Sequence, residues 1–396
     1  MTNTLLDDIH EMQAELASIR RDIHAHPEMA MEEVRTSSLI AEKLKEWGLT
    51  VTEGIGRYGV VGTLKSSKEG VISIGLRADM DALQLTEKTN VPYASTKVGV
   101  MHACGHDGHI VMLLGAAKYL AEHRESFCGT VYFIFQPAEE KLDGALAMIK
   151  DHLFDRFPMN TIYGLHNTPS DRLGQFSIRS GPMMAATDSW YVTFHGTGGH
   201  GGAGAHLATD VTVLHAQFIL ALQTIISRNV NSLESGVISV GAIESGSFGS
   251  VNVMPDTIRI GGTARSLTTS VRDIIERRMR ELANGLAVSF GCTAEVEYIR
   301  DGTPLVNHEE NTKRAIAAAQ TIVGEANVDQ NRQPTMGGED FAWMLLQRPG
   351  AFIFLGVNDD ETKRSQLHSP TYNFNDKGIP FGVAYWAALV QQELKN

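Results

Sequence analysis

The sequence predicts an α/β protein: a larger domain with a mostly parallel sheet and helices on both faces, and an inserted, ferredoxin-like α+β domain. Three observations predict this class: short apolar runs that do not alternate cleanly, helical patterns between them, and a β-α-β-β-α-β order in the middle of the chain. With 396 residues, 43% of them hydrophobic, the chain is long enough for two domains with cores of their own.

The first part of the chain begins with helical periodicity. Apolar residues recur at helical spacing between residues 16 and 47, and His26-Pro27 is expected to separate two helices because proline lacks the N–H that a helix interior needs. Four apolar runs read as strands, at residues 71–76, 130–135, 161–165 and 351–355. Their lack of alternation is typical of strands covered on both faces. A buried crossover helix is predicted at 110–125, so the sheet should be largely parallel.

The middle of the chain predicts the inserted domain. Strand, helix, two strands, helix and strand are predicted in that order at residues 190–194, 207–227, 237–243, 257–264, 270–290 and 294–299. Ser270 is the predicted N-cap of the second helix. The order is that of a ferredoxin-like sandwich. We therefore predict an outer, discontinuous domain of residues 1–185 and 301–396, and an inserted domain of residues 186–300.

Composition excludes several classes of partner. The chain has 34 Lys plus Arg against 46 Asp plus Glu, a net charge of −12 that repels nucleic acid and anionic lipid surfaces. No uninterrupted run of 18 apolar residues occurs, and the first residues lack the pattern of a secretion signal. Three widely spaced cysteines suit a reducing compartment better than a disulfide framework. We expect a cytoplasmic protein with neither nucleic-acid nor membrane partners.

Side chains that can hold a metal are concentrated at the ends of the predicted strands. Residues 101–109, Met-His-Ala-Cys-Gly-His-Asp-Gly-His, hold three histidines, a cysteine and an aspartate. Because the carboxyl ends of parallel strands meet at one edge, distant residues can join this cluster. The predicted ligands are Cys104, His106, Glu140, His166 and His368. Nitrogen, sulfur and oxygen donors together suit zinc, cobalt, nickel or manganese, and five donors suit two divalent ions in each subunit.

Three further carboxylates are candidates at this edge. Neighbouring side chains on an extended segment point in different directions, so Glu140 is expected to bind metal while Glu139 takes a proton from water. Asp79 and Asp81 could receive the second N–H of a ligand histidine, and capping of the next helix is an equal alternative for both.

Ordered motifs along nearly the whole chain resemble those of the hippurate hydrolase and auxin-conjugate hydrolase group of metallo-amidohydrolases, relatives of aminoacylase and carboxypeptidase G. The motifs are Arg-Ala-Asp-Met-Asp-Ala-Leu at 77–83, the 101–109 cluster, Gln-Pro-Ala-Glu-Glu at 136–140, Gly-Leu-His at 164–166, Asn-Val-Met-Pro-Asp at 252–256, Met-Gly-Gly-Glu-Asp-Phe at 336–341 and Leu-His-Ser-Pro at 367–370. The resemblance implies a dinuclear site with the five ligands above and Glu139 as general base and then acid. It implies hydrolysis of an N-acyl or N-aroyl amino acid to a carboxylic acid and a free amino acid.

The resemblance also implies roles for the inserted domain. It would act as a lid and form a homodimer, with a higher homo-oligomer as an alternative. His200 would reach the partner subunit's site and stabilise the oxyanion, Arg265 would hold the substrate carboxylate, and Asn252 would contact substrate. One stretch departs from the group's pattern: His200 is followed by Gly-Gly-Ala-Gly-Ala and His206, with one extra residue and without the usual proline. This departure leaves the placement of His200 open.

Two alternatives to the leading interpretation stay open at this point. A dipeptidase or an N-carbamoyl-amino-acid hydrolase would use the same site on another acyl group. A non-catalytic, metal-binding homologue would keep the fold for recognition alone, although neither a ligand nor Glu139 is missing from the motifs.

Overall fold

The computed structural model describes residues 4–360 and 366–395. Within these residues the helices are α1 Thr4–Ala25, α2 Val34–Glu46, α3 His106–Glu122, α4 Gly144–Lys150, α5 Leu153–Arg156, α6 Val211–Thr224, α7 Thr269–Ser289, α8 Glu309–Val323, α9 Phe341–Leu345 and α10 Ile379–Glu393. The strands are β1 Thr50–Ile55, β2 Gly59–Lys65, β3 Lys68–Asp79, β4 Cys128–Gln136, β5 Thr161–Arg172, β6 Phe176–Ser177, β7 Gly181–Met184, β8 Ala186–His195, β9 Gly199–His200, β10 Gly236–Ser245, β11 Val253–Met254, β12 Thr257–Ser266, β13 Thr293–Arg300, β14 Leu305–Asn307, β15 Val328–Asp329 and β16 Gly350–Asn358.

The described chain divides into two compact units. The outer unit comprises the residues up to Met183, Val306–Gln333 and the residues from Asp340 onward, and the inserted unit comprises Met184–Leu305 and Pro334–Glu339. The chain enters and leaves the inserted unit within a few residues of the boundaries predicted at 185/186 and 300/301. The sequence did not predict that the short segment 334–339 is grouped with the inserted unit.

The outer unit is built on an eight-stranded mixed sheet. Its strand order is β1-β2-β4-β3-β5-β16-β6-β15. The four central strands are parallel, whereas β1 and β2 form an antiparallel hairpin that pairs with β4, and β6 runs antiparallel to β16. All four predicted apolar runs are strands of this sheet, so the predicted α/β class with a mostly parallel sheet is confirmed. The hairpin was not predicted, although β2 carries the buried apolar residues Val60, Val61 and Leu64, and the short strands β6 and β15 were not predicted because each has only two residues.

Helices bury the central strands. Helix α3, which follows β3 and precedes β4, is the predicted crossover helix, and it packs against both α1 and α10. Most residues of α3 and α10 are buried, as expected for helices that are apolar on nearly every face. The break predicted at His26-Pro27 is present, since α1 ends at Ala25 and α2 begins only at Val34. Because α3 connects β3 to β4 as a crossover, the two strands are parallel and end at the same edge of the sheet, where the site lies.

The inserted unit has the predicted β-α-β-β-α-β order. Its antiparallel sheet has the order β10-β12-β8-β13 and packs its core against α6 and α7. Burial alternates along β8, with Trp190, Val192 and Phe194 inside, because alternate side chains of a strand point to opposite faces. The prediction that Ser270 caps α7 was wrong: Thr268 is the N-cap, and its hydroxyl accepts from Val271 N at 3.4 Å.

The first helix of the inserted unit is more apolar than a surface helix. It begins at Val211, not at residue 207, because the Asp210 carboxylate caps it by accepting from Thr212 N and Val213 N, and it continues through a π-helical turn, Ile225–Asn229. By length and composition alone the segment Val211–Asn229, with a mean hydropathy of 1.3, could cross a membrane. One face of it lies in the core of the inserted unit.

A buried histidine connects α1 to α3. His24 Nδ1 lies 2.8 Å from Asp107 Oδ2, and its Nε2 lies 3.3 Å from Glu87 Oε1. Burial by itself lowers the pKa of His24, but the hydrogen bonds to these two carboxylates outweigh it and raise the pKa to about 9. The folded state therefore binds the proton more tightly than the unfolded chain does.

This histidine predicts a pH dependence of stability. Protonated His24 stabilises the folded state by up to about 3 kcal/mol. This stabilisation is fully present below about pH 6.5 and is lost as the pH rises through about 9. Urea unfolding of the wild type should show this loss in the free energy of unfolding, and His24→Gln should lack most of it. His152→Gln, whose side chain is 72% exposed, should behave like the wild type. An unchanged pH profile in His24→Gln would contradict the prediction.

Candidate metal centre

The side chains predicted to carry the chemistry meet at the carboxyl edge of the central parallel strands of the outer unit. Cys104 precedes α3, His106 is its first residue, Glu139 and Glu140 follow β4, His166 lies in β5, and His368 lies in the loop after β16. The neighbouring positions of β4, β3, β5 and β16 bring these segments together, as in other open α/β sheets. Residues 264 positions apart therefore come into contact.

The donor atoms of the five predicted ligands converge. Cys104 Sγ lies 3.4 Å from His166 Nε2 and 3.3 Å from His368 Nε2. Glu140 Oε1 lies 3.5 Å from His368 Nε2 and 3.9 Å from His106 Nε2. Two ligands of one tetrahedral ion, each bonded at about 2.0–2.3 Å, are about 3.3–3.8 Å apart. Three of the separations therefore fit ligands that share metal ions, with Cys104 between two histidines, and the Glu140–His106 separation lies just beyond this range.

Two histidines are held with Nε2 towards the other donors. His106 Nδ1 donates to the Asp81 carbonyl oxygen at 2.9 Å, and His166 Nδ1 donates to the Asn167 carbonyl oxygen at 2.6 Å. A proton on Nδ1 leaves the Nε2 lone pair for a metal. Within the described ranges, His106 Nε2 and Glu140 Oε1 are buried without a hydrogen-bond partner. Since such atoms are costly to bury, this observation also fits a bound cation.

Burial lowers the pKa of His106, but the negative charges of Asp79 and Cys104 and the hydrogen bonds to Asp81 and Cys104 outweigh it and raise this pKa well above its ordinary value. At three other donors burial sets the direction of the shift. It raises the pKa of the Cys104 thiol well above its ordinary value, and the nearby Glu140 carboxylate adds to the effect. Burial also raises the pKa of Glu140 to about 7, and burial together with His109 lowers the pKa of His166. A neutral imidazole can bind a metal as it is. The buried thiol and carboxyl groups must first lose a proton, and a positive charge beside them favours that ionised form. The electrostatics thus favour a divalent cation.

Three residues beside the donors have left-handed backbone conformations. Gly105, between Cys104 and His106, has φ +95°, and a Cβ there would lie 2.2 Å from Asn167 Oδ1. Ala138 and His368 have φ of 53° and 59°, which is uncommon for residues other than glycine. Such conformations are costly and cluster where side-chain direction matters. Here they accompany the approach of Cys104, Glu140 and His368 to one another.

The Glu139-Glu140 pair is held by carboxylates behind it. The prediction of an extended segment was wrong, because the pair begins a 3-10 turn, Glu139–Lys141. Asp81 Oδ1 accepts from Glu139 N at 3.1 Å, and its Oδ2 accepts from Glu140 N at 3.0 Å. Glu33 Oε1 accepts from Ala138 N at 2.9 Å. Consecutive residues of a 3-10 helix are about 120° apart, so the two side chains still diverge.

Asp79 contacts a histidine that the predicted ligand set did not include. Asp79 Oδ1 lies 2.5 Å from His109 Nδ1, and its Oδ2 accepts from Arg77 Nη1 at 2.7 Å. His109 Nε2 accepts from Asn167 N at 3.0 Å, and Asn167 Nδ2 donates to the Tyr372 hydroxyl at 2.7 Å. His109 follows His106 by three residues on α3, a spacing that places both on one face. The sequence signals for this buried network were that spacing and the density of histidines in residues 101–109.

The inserted unit carries the other three predicted residues. His200 and Asn252 lie next to each other, since β9 pairs with β11 through Val253↔His200 and Gly201 N donates to the Asn252 carbonyl oxygen at 2.8 Å. Arg265 is near the opposite end of β12 from this pair, and its Nη1 donates to Thr263 Oγ1. The unit therefore brings two of the three together and keeps Arg265 apart.

Comparison with known proteins agrees with this site. Residues 75–392 match peptidase family M20/M25/M40. The chain is 40% identical over 391 residues to a hippurate hydrolase of Campylobacter jejuni, covering 99% of this chain and 100% of that protein. It is 38% identical over 372 residues to an N-acetyl-L-cysteine deacetylase of Bacillus subtilis, covering 94% and 86% of the two chains.

The crystal structure of a dinuclear metal-binding M20 peptidase of Bacillus subtilis superposes with a TM-score of 0.86 at 30% identity, covering 98% of this chain and 99% of that one. The resemblance read from the motifs is therefore confirmed, and the candidate ligand clusters together with this relative support binding of divalent metal. This chain belongs to peptidase family M20/M25/M40 and is a metallo-amidohydrolase.

Proposed function

We propose that the enzyme hydrolyses the amide bond of N-acyl or N-aroyl amino acids, with two divalent metal ions in each subunit and Glu139 as the proton carrier. The observation that supports this most directly is the convergence of five donor side chains beside a sixth, separate carboxylate. The similarity to a hippurate hydrolase supports an aroyl or acyl amino acid as substrate.

Cys104, His106, Glu140, His166 and His368 would hold the two ions. Their mixed nitrogen, sulfur and oxygen donors suit Zn, Mn, Co or Ni. When bound, such ions supply the Lewis acidity that activates a water and polarises the amide carbonyl. Asp81 would fix the ring of His106 and the backbone of both glutamates. Asp79 would orient the neighbouring His109.

Glu139 would move the proton. Its side chain is largely buried, and its Oε2 lies 3.9 Å from His106 Nε2, the same distance as Glu140 Oε1. The two carboxylates differ in that Glu140 Oε1 also lies 3.5 Å from His368 Nε2. As general base Glu139 would take a proton from the attacking water, and as general acid it would return that proton to the leaving amine nitrogen. The C–N bond breaks in that second step.

His200, Asn252 and Arg265 would act on substrate from the inserted unit. A histidine N–H is suited to stabilise the oxyanion of the tetrahedral intermediate, and the planar guanidinium of Arg265 is suited to a carboxylate. Burial lowers the pKa of Arg265, which still leaves it a cation at neutral pH. We assign His200 to the partner subunit's site, as the resemblance implies.

A homodimer through the inserted unit, or a higher homo-oligomer built on it, is part of this proposal. The outward face of α6 exposes Val213 and Leu220, and the neighbouring edge strand β10 exposes Val237 and Ile243. Exposed apolar patches and open strand edges are typical of contact surfaces. Sedimentation velocity should give at least twice the mass of the chain; a monomer at micromolar concentration would contradict the assembly.

We also place the enzyme in the cytoplasm. Cys104, Cys128 and Cys292 are free and buried, which suits a reducing compartment, and the net charge of −12 disfavours nucleic acid and anionic membranes as partners.

A substrate panel with defined metals tests the proposed reaction. Hippurate, acetyl-, indoleacetyl- and carbamoyl-amino acids and dipeptides would be offered to enzyme stripped with chelator and reloaded with Mn, Co, Ni or Zn. We expect no turnover in the stripped enzyme, and recovery on acyl or aroyl amino acids with at least one metal. Preference for dipeptides or carbamoyl-amino acids would replace the proposed substrate class. Full activity without detectable metal would overturn the mechanism.

A further inference from the structure

The loop after His200 contacts the imidazole ring with its own backbone. Gly202 N and Ala203 N each donate to His200 Nδ1 at 3.1 Å. In the same turn Gly204 N donates to the His200 carbonyl oxygen at 3.1 Å. A side chain that accepts from the backbone two and three residues later is familiar from Asx turns and helix N-caps, and here an imidazole fills that role.

These two contacts specify the tautomer of His200. A backbone N–H can only donate, so Nδ1 must accept with its lone pair and carries no hydrogen. A neutral imidazole has one N–H, which is therefore on Nε2. The whole residue is exposed, so this Nε2–H is available to an acceptor outside the loop. In the Nδ1–H tautomer both hydrogen bonds would be lost, and Nε2 would carry a lone pair instead of a hydrogen-bond donor.

The backbone that carries the ring is also held by hydrogen bonds. The His200 backbone is paired with Val253 in the β9-β11 ladder, and the next residue, Gly201, donates to Asn252 O at 2.8 Å. A Cβ at Gly201 would lie 3.2 Å from that oxygen, and a Cβ at Gly202 would lie 3.6 Å from His200 Cε1. The backbone of residues 201–203 therefore passes close enough to the ring for two amides to reach Nδ1.

We propose that residues 201–204 are a positioning element that holds His200 as the Nε2–H tautomer and aims this donor at the substrate oxyanion. The catalytic meaning of this proposal rests on the function proposed above for His200, whereas the tautomer itself does not. The glycine-rich stretch after His200 thereby has a role, because Gly202 and Ala203 supply the backbone donors. Gly202 and Ala203 are thus positioning residues for the reaction.

Nitrogen NMR of the full-length, metal-loaded enzyme labelled with 15N-histidine tests the tautomer directly. We expect the His200 signals at neutral pH to show a protonated Nε2 and an unprotonated Nδ1, with His200→Gln identifying them by their loss. A protonated Nδ1 in the wild type would overturn the proposal while leaving the hydrolytic function of the enzyme intact.

Proline variants test the two donors, since proline removes one N–H at a time. Gly202→Pro and Ala203→Pro should each lower kcat about two- to tenfold, as expected for one hydrogen bond, with little change in KM. Both should also alter the 15N signature of His200. Ala205→Pro is the matched control because Ala205, the first residue of a short 3-10 helix, is not one of the two donors to His200 Nδ1, and it should keep the wild-type signature.

Gly202→Ala tests whether a substitution in this loop by itself disturbs folding. It retains the N–H, and its Cβ would be in ordinary contact with the ring, so the Nε2–H signature should persist. If the proline variants keep the wild-type 15N signature, or if Ala205→Pro changes it as much as they do, the positioning role is refuted. If they change the signature while His200→Ala leaves hydrolysis unaffected, the tautomer assignment holds and the proposed role of His200 in catalysis fails.

Discussion

Glu139→Gln is expected to lower kcat for amide hydrolysis by about 10²- to 10⁴-fold, the usual contribution of a positioned general base and acid. Metal content should stay at the wild-type level, because the five proposed ligands are unchanged and Asp81 still accepts from the backbone of residue 139. Steady-state kinetics on a substrate from the panel, together with elemental analysis of the purified protein, checks both parts.

The adjacent glutamate is the matched comparison. Glu140→Gln should lose metal as well as activity, since Glu140 Oε1 lies 3.5 Å from His368 Nε2 within the donor cluster. Glu11→Gln, an exposed position on α1, should change neither. Wild-type hydrolysis by metal-loaded Glu139→Gln would rule out the proton transfer assigned here, and equal metal loss in both glutamate variants would mean that Glu139 is itself a ligand.

Arg77→Met is expected to cost about 3–5 kcal/mol in the free energy of unfolding of the outer unit, the typical loss when one partner of a buried ion pair is removed. Arg77 is fully buried and donates to Asp79 at 2.7 Å, Asp340 at 3.1 Å and Gln136 at 2.9 Å. Methionine fills a similar volume but leaves two carboxylates in the interior without their cation.

Urea unfolding, fitted with separate transitions if the two units unfold separately, measures this loss. Arg77→Lys should fall between the wild type and Arg77→Met, because an ammonium keeps the charge but cannot reproduce the planar fork that reaches three partners. Arg277→Met is the control: its side chain is 61% exposed and pairs with Glu281 at the surface, so a loss below about 1 kcal/mol is expected. A comparably small loss for Arg77→Met would show that the buried pairs contribute little.

Much of the fold and the composition of the site could be predicted from local sequence. Apolar runs located β3, β4, β5 and β16, and the order of elements in the middle of the chain predicted the inserted unit. Cys104 and His106 stand out because ligand-type residues are dense around them. Boundaries were less predictable: Thr268 caps α7 where Ser270 was expected, and Glu139-Glu140 lies in a turn, because caps and tight turns depend on single hydrogen bonds.

What the sequence by itself determined is which side chains could bind metal and carry a proton, because motif spacing is a property of neighbouring residues. Only the tertiary structure decided how these side chains are held. The contact of Arg77 with Asp340 spans 263 residues and that of Glu33 with Ala138 spans 105. Such pairs depend on strand order and register, and the tautomer of His200 depends on which backbone N–H groups the loop brings to Nδ1.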